Sequence, residues 1–243
     1  MHRLCIDIGN SFIKAVEFHD NIMRNLFIFS SEETEKCINT IINKDIRPQT
    51  IIISTVATTS NAVFKSAFPQ SRLIDFSHKT PLPIQLEYQT PTTLGLDRIA
   101  SAVAGQNRFP QKPVLVIGLG TCIIYDLVVN NTYLGGSISP GLNMRFKALH
   151  EFTFRLPLIK GDAFFSLPGK STQDSIKSGV MFGISSEIDG FIDAYKQNYP
   201  ELQVILSGGD LNYFDNTLKN SIFASPNIVI EGLNIIATFN ELL

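Results

Sequence analysis

Residues 3–18 read RLCIDIGNSFIKAVEF, and residues 113–129 read PVLVIGLGTCIIYDLVV. In each stretch two apolar or alternating runs flank a glycine-bearing turn, the pattern of a strand, a tight turn and an antiparallel strand. The second stretch runs on into a third strand, NTYLGGSIS at 131–139. A pattern that returns only once is too short for a solenoid. It reads as two copies of one β-rich αβ unit, each opening on a hairpin, a pairing that leaves a cleft.

The segments around these hairpins fit an α/β chain. Residues 33–44 carry a weak helical period, and TIIIST at 50–55 is a β-branched run suited to a buried strand. The stretch from Asp75 to Thr93 holds Pro81, Pro83 and Pro91 and predicts an extended connection. LGLDRIASAVAG at 94–105 predicts a helix closed by Gly105, and QNRFPQK at 106–112 marks the boundary between units 1–108 and 109–243. Beyond it the spacing predicts helices over 141–152 and 173–198 and a strand over 203–207. A strand-like NIVI at 227–230 and a helix from about 232 follow.

Composition narrows the function classes. With 243 residues, 44% hydrophobic and 17% charged, the chain can bury one substantial core or two small ones. A net charge of −2 and a pI near 6.1 provide no basic face for a phosphate backbone, so no nucleic-acid partner is expected. No run approaches the roughly 20 apolar residues that span a bilayer, and MHRLCIDIGN lacks the apolar core of an export signal. Cys5, Cys37 and Cys122 have no metal-binding spacing, and their odd number favours reduced thiols in a cytoplasm.

Three glycine turns and one acid–base pair carry the chemistry. Asp7-Ile8-Gly9-Asn10-Ser11, with Lys14 three residues on, can hold a phosphate through backbone N–H groups, short polar side chains and a cation. Asp7 would face that phosphate, which calls for magnesium between them. The same five residues also fit a plain type I′ hairpin in which Gly9-Asn10 supplies positive φ. Gly118-Leu119-Gly120-Thr121, with Asp126 further along the returning strand, is a second such turn, and two are more specific than one. Gly208-Gly209-Asp210 lets a flat ligand lie on backbone, or is an ordinary strand-to-helix turn with an Asp cap. Gly95-Leu96-Asp97-Arg98 could divide labour, Asp97 taking a hydroxyl proton and Arg98 gripping a carboxylate, or could be a surface ion pair.

Two motif matches fail. Pro168-Gly169-Lys170-Ser171-Thr172 ends like a P-loop, but Phe164 stands at its first glycine and no strand precedes it. Gly118 and Gly120 begin G-x-G-x-x-G, but Ile123 stands at the third glycine and a strand follows where a dinucleotide fold needs a helix.

Taken in order, Asp7 to Lys14, Tyr88, Gly95 to Arg98, Gly120-Thr121 and Gly135 to Gly141 resemble the motifs of type III pantothenate kinases. Leu156-Pro157, Ser171-Thr172, Gly208-Gly209-Asp210 and Gly232-Leu233 extend the similarity almost to the last residue. The resemblance implies two ribonuclease H-like αβ subdomains of the actin and hexokinase type around a central ATP cleft. It also implies transfer of the ATP γ-phosphoryl group to pantothenate, the first step toward coenzyme A. Asp97 would be the general base. Tyr88, Gly95, Leu96 and Arg98 would contact substrate, joined by Thr172 from the neighbouring subunit of a homodimer with composite sites. ATP and Mg2+ would be held by Asp7, Gly9, Asn10, Ser11, Lys14, Gly120, Thr121, Gly208 and Gly209. The family also uses a monovalent cation, K+ or NH4+, at an aspartate that is Gly118 here. That departure raises the alternative of a silent relative that binds ligands or regulates.

Overall fold

In a computed structural model describing residues 1–55, 60–161 and 165–243, the opening hairpin forms as expected; Phe164 lies outside the described residues. Strand β1 (His2–Ile8) pairs antiparallel with β2 (Phe12–His19), with Asp7 opposite Lys14. The sequence reading passes over β3 (Ile22–Ser30), which pairs with β2 through a turn whose Asp20 and Asn21 have φ of 47° and 70°. That is where positive φ is needed. Gly9 and Asn10 lie outside the left-handed region, so the type I′ alternative for the first turn is overturned.

Parallel strands complete this first sheet. β4 (Thr50–Thr55) lies beside β1 and β5 (Arg72–Asp75) beside β4, giving the order β3-β2-β1-β4-β5. Helices α1 (Thr34–Asn43) and α2 (Ser60–Ala67) accompany it; Leu4, Ile6 and Ile8 of β1 and Ile51 and Ile53 of β4 cluster with Cys37, Ile38, Ile41 and Phe64. These strand residues alternate, so Arg3, Cys5 and Asp7 point to the opposite face. After the two-residue strand β6 (Gln85–Leu86) and a 3-10 turn at Pro91–Thr93, helix α3 spans Leu96–Arg108. It runs past Gly105, which stays buried within the helix.

The second unit, 108–227, repeats the plan. β7 (Val114–Leu119), β8 (Cys122–Val129) and β9 (Thr132–Pro140) form an antiparallel meander, and β10 (Gln203–Ser207) and β11 (Phe223–Ala224) add in parallel beyond β7. Renumbered within each unit, both orders are 3-2-1-4-5, as expected of ribonuclease H-like units. Even the second turn is repeated, by Asn130 and Asn131 at φ of 50° and 59°. α4 (Leu142–Glu151) and α5 (Thr172–Asn198) cover one face, where Leu115, Ile117, Tyr125, Phe146, Ile184 and Ile188 share a core.

The last helix corrects two expectations. NIVI is no strand: α6 runs from Ile228 to Glu241, its Ile228, Ile230, Leu233 and Ile236 all buried, and packing overrides the β-branched preference. Residues 228–243 also belong to the first unit, with 1–107, where the sequence reading had assigned them to the second. α6 packs against β1 and β4, and Arg3 Nε and Nη2 donate to Glu241 Oε2 at 2.9 and 2.7 Å in a buried pair. At Gly232 a Cβ would lie 1.9 Å from the Ala100 carbonyl oxygen, so α6 meets α3 backbone to backbone.

Two glycine-to-alanine changes should therefore have opposite signs. Gly232→Ala should lower stability by about 2–3 kcal/mol through forced separation of α6 from α3. Gly190→Ala, in α5 with nothing within 4 Å of the new carbon, should raise it by about 0.5–1 kcal/mol. Urea unfolding of both variants reads the difference.

Candidate active site

Two of the predicted constellations meet in the first unit. Asp7 sits near the end of β1, flanked by Lys14 across the hairpin and by Ser54 in the parallel register with β4. Burial first, and then the negative charge of Asp97, pushes the Asp7 carboxyl up to about 6, against the pull of Lys14 and a hydrogen bond from Ser54. Burial also holds the Lys14 ammonium below its usual range, with Asp7 opposing. Asp97 lies in the first turn of α3 and is exposed. A carboxylate presented to solvent thus stands within electrostatic reach of a half-buried carboxylate and its lysine.

The first turn is held from behind. The Gly9 N–H donates to the Phe12 carbonyl at 3.0 Å. Ser31 donates through its hydroxyl to the Asn10 carbonyl at 3.0 Å and through its N–H to the Ser11 carbonyl at 3.1 Å. With those carbonyls tied back, exposed Asn10 and Ser11 form the outer rim. Beside α3, a Cβ on Gly95 would lie 2.5 Å from Asp97 Oδ1, so glycine is what lets the carboxylate fold back over the helix start. Leu96 and Tyr88 are half-buried. Arg98 is 7% exposed, so the reading of Asp97 and Arg98 as a surface ion pair does not hold.

In the second unit the other two glycine turns converge. The Gly120 N–H donates to the Cys122 carbonyl at 3.1 Å, leaving Thr121 exposed at the tip. Gly141 donates to the Thr121 carbonyl at 3.1 Å, and a Cβ there would lie 2.2 Å from the Gly120 oxygen. Gly208, at φ +107°, presses on Leu119, whose carbonyl accepts from the Asp210 N–H at 3.2 Å. Gly209 has open space around it. The Asp210 side chain makes no capping bond, and only a 3-10 turn, Leu211–Tyr213, follows. The alternative of an Asp-capped helix is thereby overturned.

Gly118 is the point at which the two units differ. It stands two residues before Gly120 as Asp7 stands two before Gly9, and it pairs with Ser207 of β10 as Asp7 pairs with Ser54 of β4. An added Cβ would meet only Ile124 Cβ, at 3.9 Å. Space for a Cβ is present, and the sequence puts no side chain there. Asp126 does not fill that space: buried opposite Val116, it accepts from the Tyr133 hydroxyl at 2.8 Å. Thr172 begins α5, beside the capping Ser171, and lines an outward groove with Arg145, Leu149, Leu156 and Ile176.

Magnesium fits the first unit, where a half-buried carboxylate raised by a second carboxylate has the donor chemistry a divalent cation resolves. Residue 118, being glycine, offers a monovalent cation no side-chain oxygen. Ser54 and Ser207 were missed in the sequence; their signal was a hydroxyl at the end of the parallel strand next to each turn strand.

A family model described as type III pantothenate kinase matches residues 3–194. A type III pantothenate kinase of Flavobacterium johnsoniae is 40% identical over 232 residues, 95% of each chain. Among solved structures, a conserved Baf family protein of Campylobacter jejuni superposes with a TM-score of 0.66 at 23% identity, covering 99% of this chain and 100% of that one. A glucokinase from an Antarctic psychrotroph superposes at 0.57 and 12% identity, covering 98% and 99%. At these identities the two structures speak to the fold alone.

Asp7 sets a pH test of the first half-site. The unfolded chain ionises it near 3.8 and the folded chain near 6, so the folded state is penalised as pH rises through that window and fully above it. Asp7→Asn should stabilise the ligand-free protein at about pH 8 by on the order of 1–3 kcal/mol, and the gain should vanish near pH 3.5. Thermal unfolding at the two pH values measures it.

Proposed function

The chain belongs to the type III pantothenate kinase family, and from that premise we propose that it phosphorylates pantothenate with ATP, the step that opens coenzyme A synthesis. The observation that carries this reading is the meeting of Asp97 with Asp7 and Lys14 in one unit. It sets a proton acceptor beside a phosphate-holding turn, which is most of what phosphoryl transfer asks of a protein.

Asp97 accepts the proton of the primary hydroxyl as that oxygen bonds to the γ-phosphorus. The bond from phosphorus to the β–γ bridging oxygen breaks, and ADP leaves. An exposed carboxylate serves, because the proton comes off late in a loose transition state. Arg98, held in place by burial, grips the substrate carboxylate, with Tyr88, Gly95 and Leu96 around it. Gly9, Asn10, Ser11 and Lys14 hold phosphate oxygens, and the turn at Gly120 and Thr121 has the same capacity. Gly208 and Gly209 leave room for the nucleoside. Magnesium bound through Asp7 supplies charge neutralisation to the phosphates.

We read Gly118 as removing the monovalent-cation requirement while leaving catalysis, since the turn beside it keeps its glycine and threonine. The silent-relative alternative gains no support from the named relatives, which are kinases. The enzyme is read as a cytoplasmic homodimer. Its three free thiols suit a reducing compartment, and among the described residues no helix is long and apolar enough to cross a membrane. Exposed Thr172 at an apolar groove, with Phe152, Phe154 and Leu158 exposed nearby in the chain, supports a second copy docking there.

Three measurements test this. ADP release should depend on pantothenate and fall at least about 1,000-fold in Asp97→Asn; no turnover by the native chain at saturating ATP and magnesium would sink the proposal. Added potassium should change the native rate less than about twofold and that of Gly118→Asp more. Light scattering should return twice the chain mass of 27.0 kDa.

A further inference from the structure

At the end of the opening hairpin away from the Gly9 turn, three side chains converge that the kinase reading leaves unused. His2 and His19 are cross-strand partners, and Glu17 lies two residues before His19 on the same face of β2. His2 Nε2 is 2.8 Å and His19 Nε2 is 2.9 Å from the same carboxylate oxygen, Glu17 Oε1, and the three donor atoms lie within 4.8 Å of one another. The two imidazoles are 4.2 Å apart between centroids.

One of these atoms is poorly satisfied by the protein alone. His2 Nε2 is shut off from solvent, with the Glu17 carboxylate 2.8 Å away as its ion-pair partner and no geometrically regular hydrogen bond. Among the described residues it is the one buried side-chain nitrogen or oxygen without such a bond. Buried polar atoms are paired in folded proteins because an unpaired one costs free energy. The His2 ring also interacts with the backbone of Arg47. An imidazole tied to backbone and set against a carboxylate and another imidazole has the arrangement of a metal ligand with its supporting shell. Asn25 Nδ2 completes that shell by donating to Glu17 Oε2 at 2.5 Å.

We propose that His2, Glu17 and His19 form a site for a borderline transition-metal cation, Zn2+ in the first instance. Two imidazoles and one carboxylate suit zinc and its neighbours and do not suit magnesium, which prefers an all-oxygen shell. Metal–ligand distances near 2.0–2.1 Å ask for donor atoms about 3.3 Å apart in a tetrahedron, so the two close contacts must open by roughly 0.5 Å. His19, 47% exposed, can give way and offers the entry path. Glu17 and His2 are the enclosed partners, and solvent on the His19 side supplies the fourth ligand as water. The bound ion ties the first strand to the second at the hairpin's open end, so it acts as a clamp on the fold and stands apart from catalysis.

The test is a Zn2+ titration of chelator-treated, full-length protein against a chromophoric competitor, with thermal unfolding in parallel. One equivalent per chain should bind at roughly micromolar Kd or tighter and raise the unfolding midpoint, with Mg2+ in excess unable to compete. His19→Ala and Glu17→Gln should each weaken binding at least about 10-fold and abolish the thermal shift, while Cys122→Ser changes neither. Co2+ in place of Zn2+ should show the visible absorption of a four-coordinate site in the native protein alone. Absence of a stoichiometric equivalent, or binding undiminished in His19→Ala, overturns the proposal. His19→Ala alters an exposed residue and should keep its kinase rate, so failure here leaves the proposed activity untouched and failure of that activity leaves this site untouched.

Discussion

Much of the first unit hangs on the absence of a side chain at Gly232. Because α6 can bring its backbone against the Ala100 carbonyl, α3 and α6 fit together beside the sheet that carries Arg3, Cys5 and Asp7. α3 is also the helix whose first turn bears Asp97. The position of the exposed carboxylate on α3 relative to Asp7 at the end of β1 therefore depends on a helix contact about one turn along α3 from Asp97. The Arg3–Glu241 pair ties the last turn of α6 to the start of β1, and removal of either partner would leave a largely buried charged side chain without this partner. The same packing keeps Asp7 in surroundings that disfavour its charge, and at neutral pH, above its raised value of about 6, the rest of the fold carries that cost.

Duplication supplies the second organising fact. Each unit has the strand order 3-2-1-4-5, a two-residue turn of positive φ after its second strand, and a glycine turn after its first. Each has a serine at the end of the neighbouring parallel strand, Ser54 in one and Ser207 in the other. Against so regular a background, Asp7 and Gly118 are a single broken correspondence. The second turn has instead been tightened with glycine, Gly141 beneath Gly120 and Gly208 against Leu119, which keeps its backbone in place without charge.

The strands and helices with clear periodicity were legible, from the two hairpins to α5, and so was the class of fold. What escaped has physical reasons. β3 carries polar residues among partly exposed apolar ones, so neither an alternating nor a buried pattern stood out. NIVI is β-branched, yet its burial between sheet and helix decides for α. The first turn looked like Gly-Asn of type I′, whereas positive φ fell to Asp20-Asn21, two ordinary polar residues. Most of the site was legible as motifs, but Ser54 and the triad of His2, Glu17 and His19 depend on strand register, which sequence spacing alone does not disclose.

The return of α6 to the first unit bears on the order in which the chain can be made and folded. Residues 108–227 form a continuous unit and can fold as soon as they emerge. The first sheet, although synthesised earlier, lacks its covering helix until residue 241 is out, and Cys5 and Ile52 then lie on a bare face. Until that moment the newest part of the chain holds the lid for the oldest, so the interval between residues 107 and 228 is a period of exposure to aggregation. Chaperone dependence or sensitivity to translation pausing in this protein would trace to that topology rather than to the stability of its finished state.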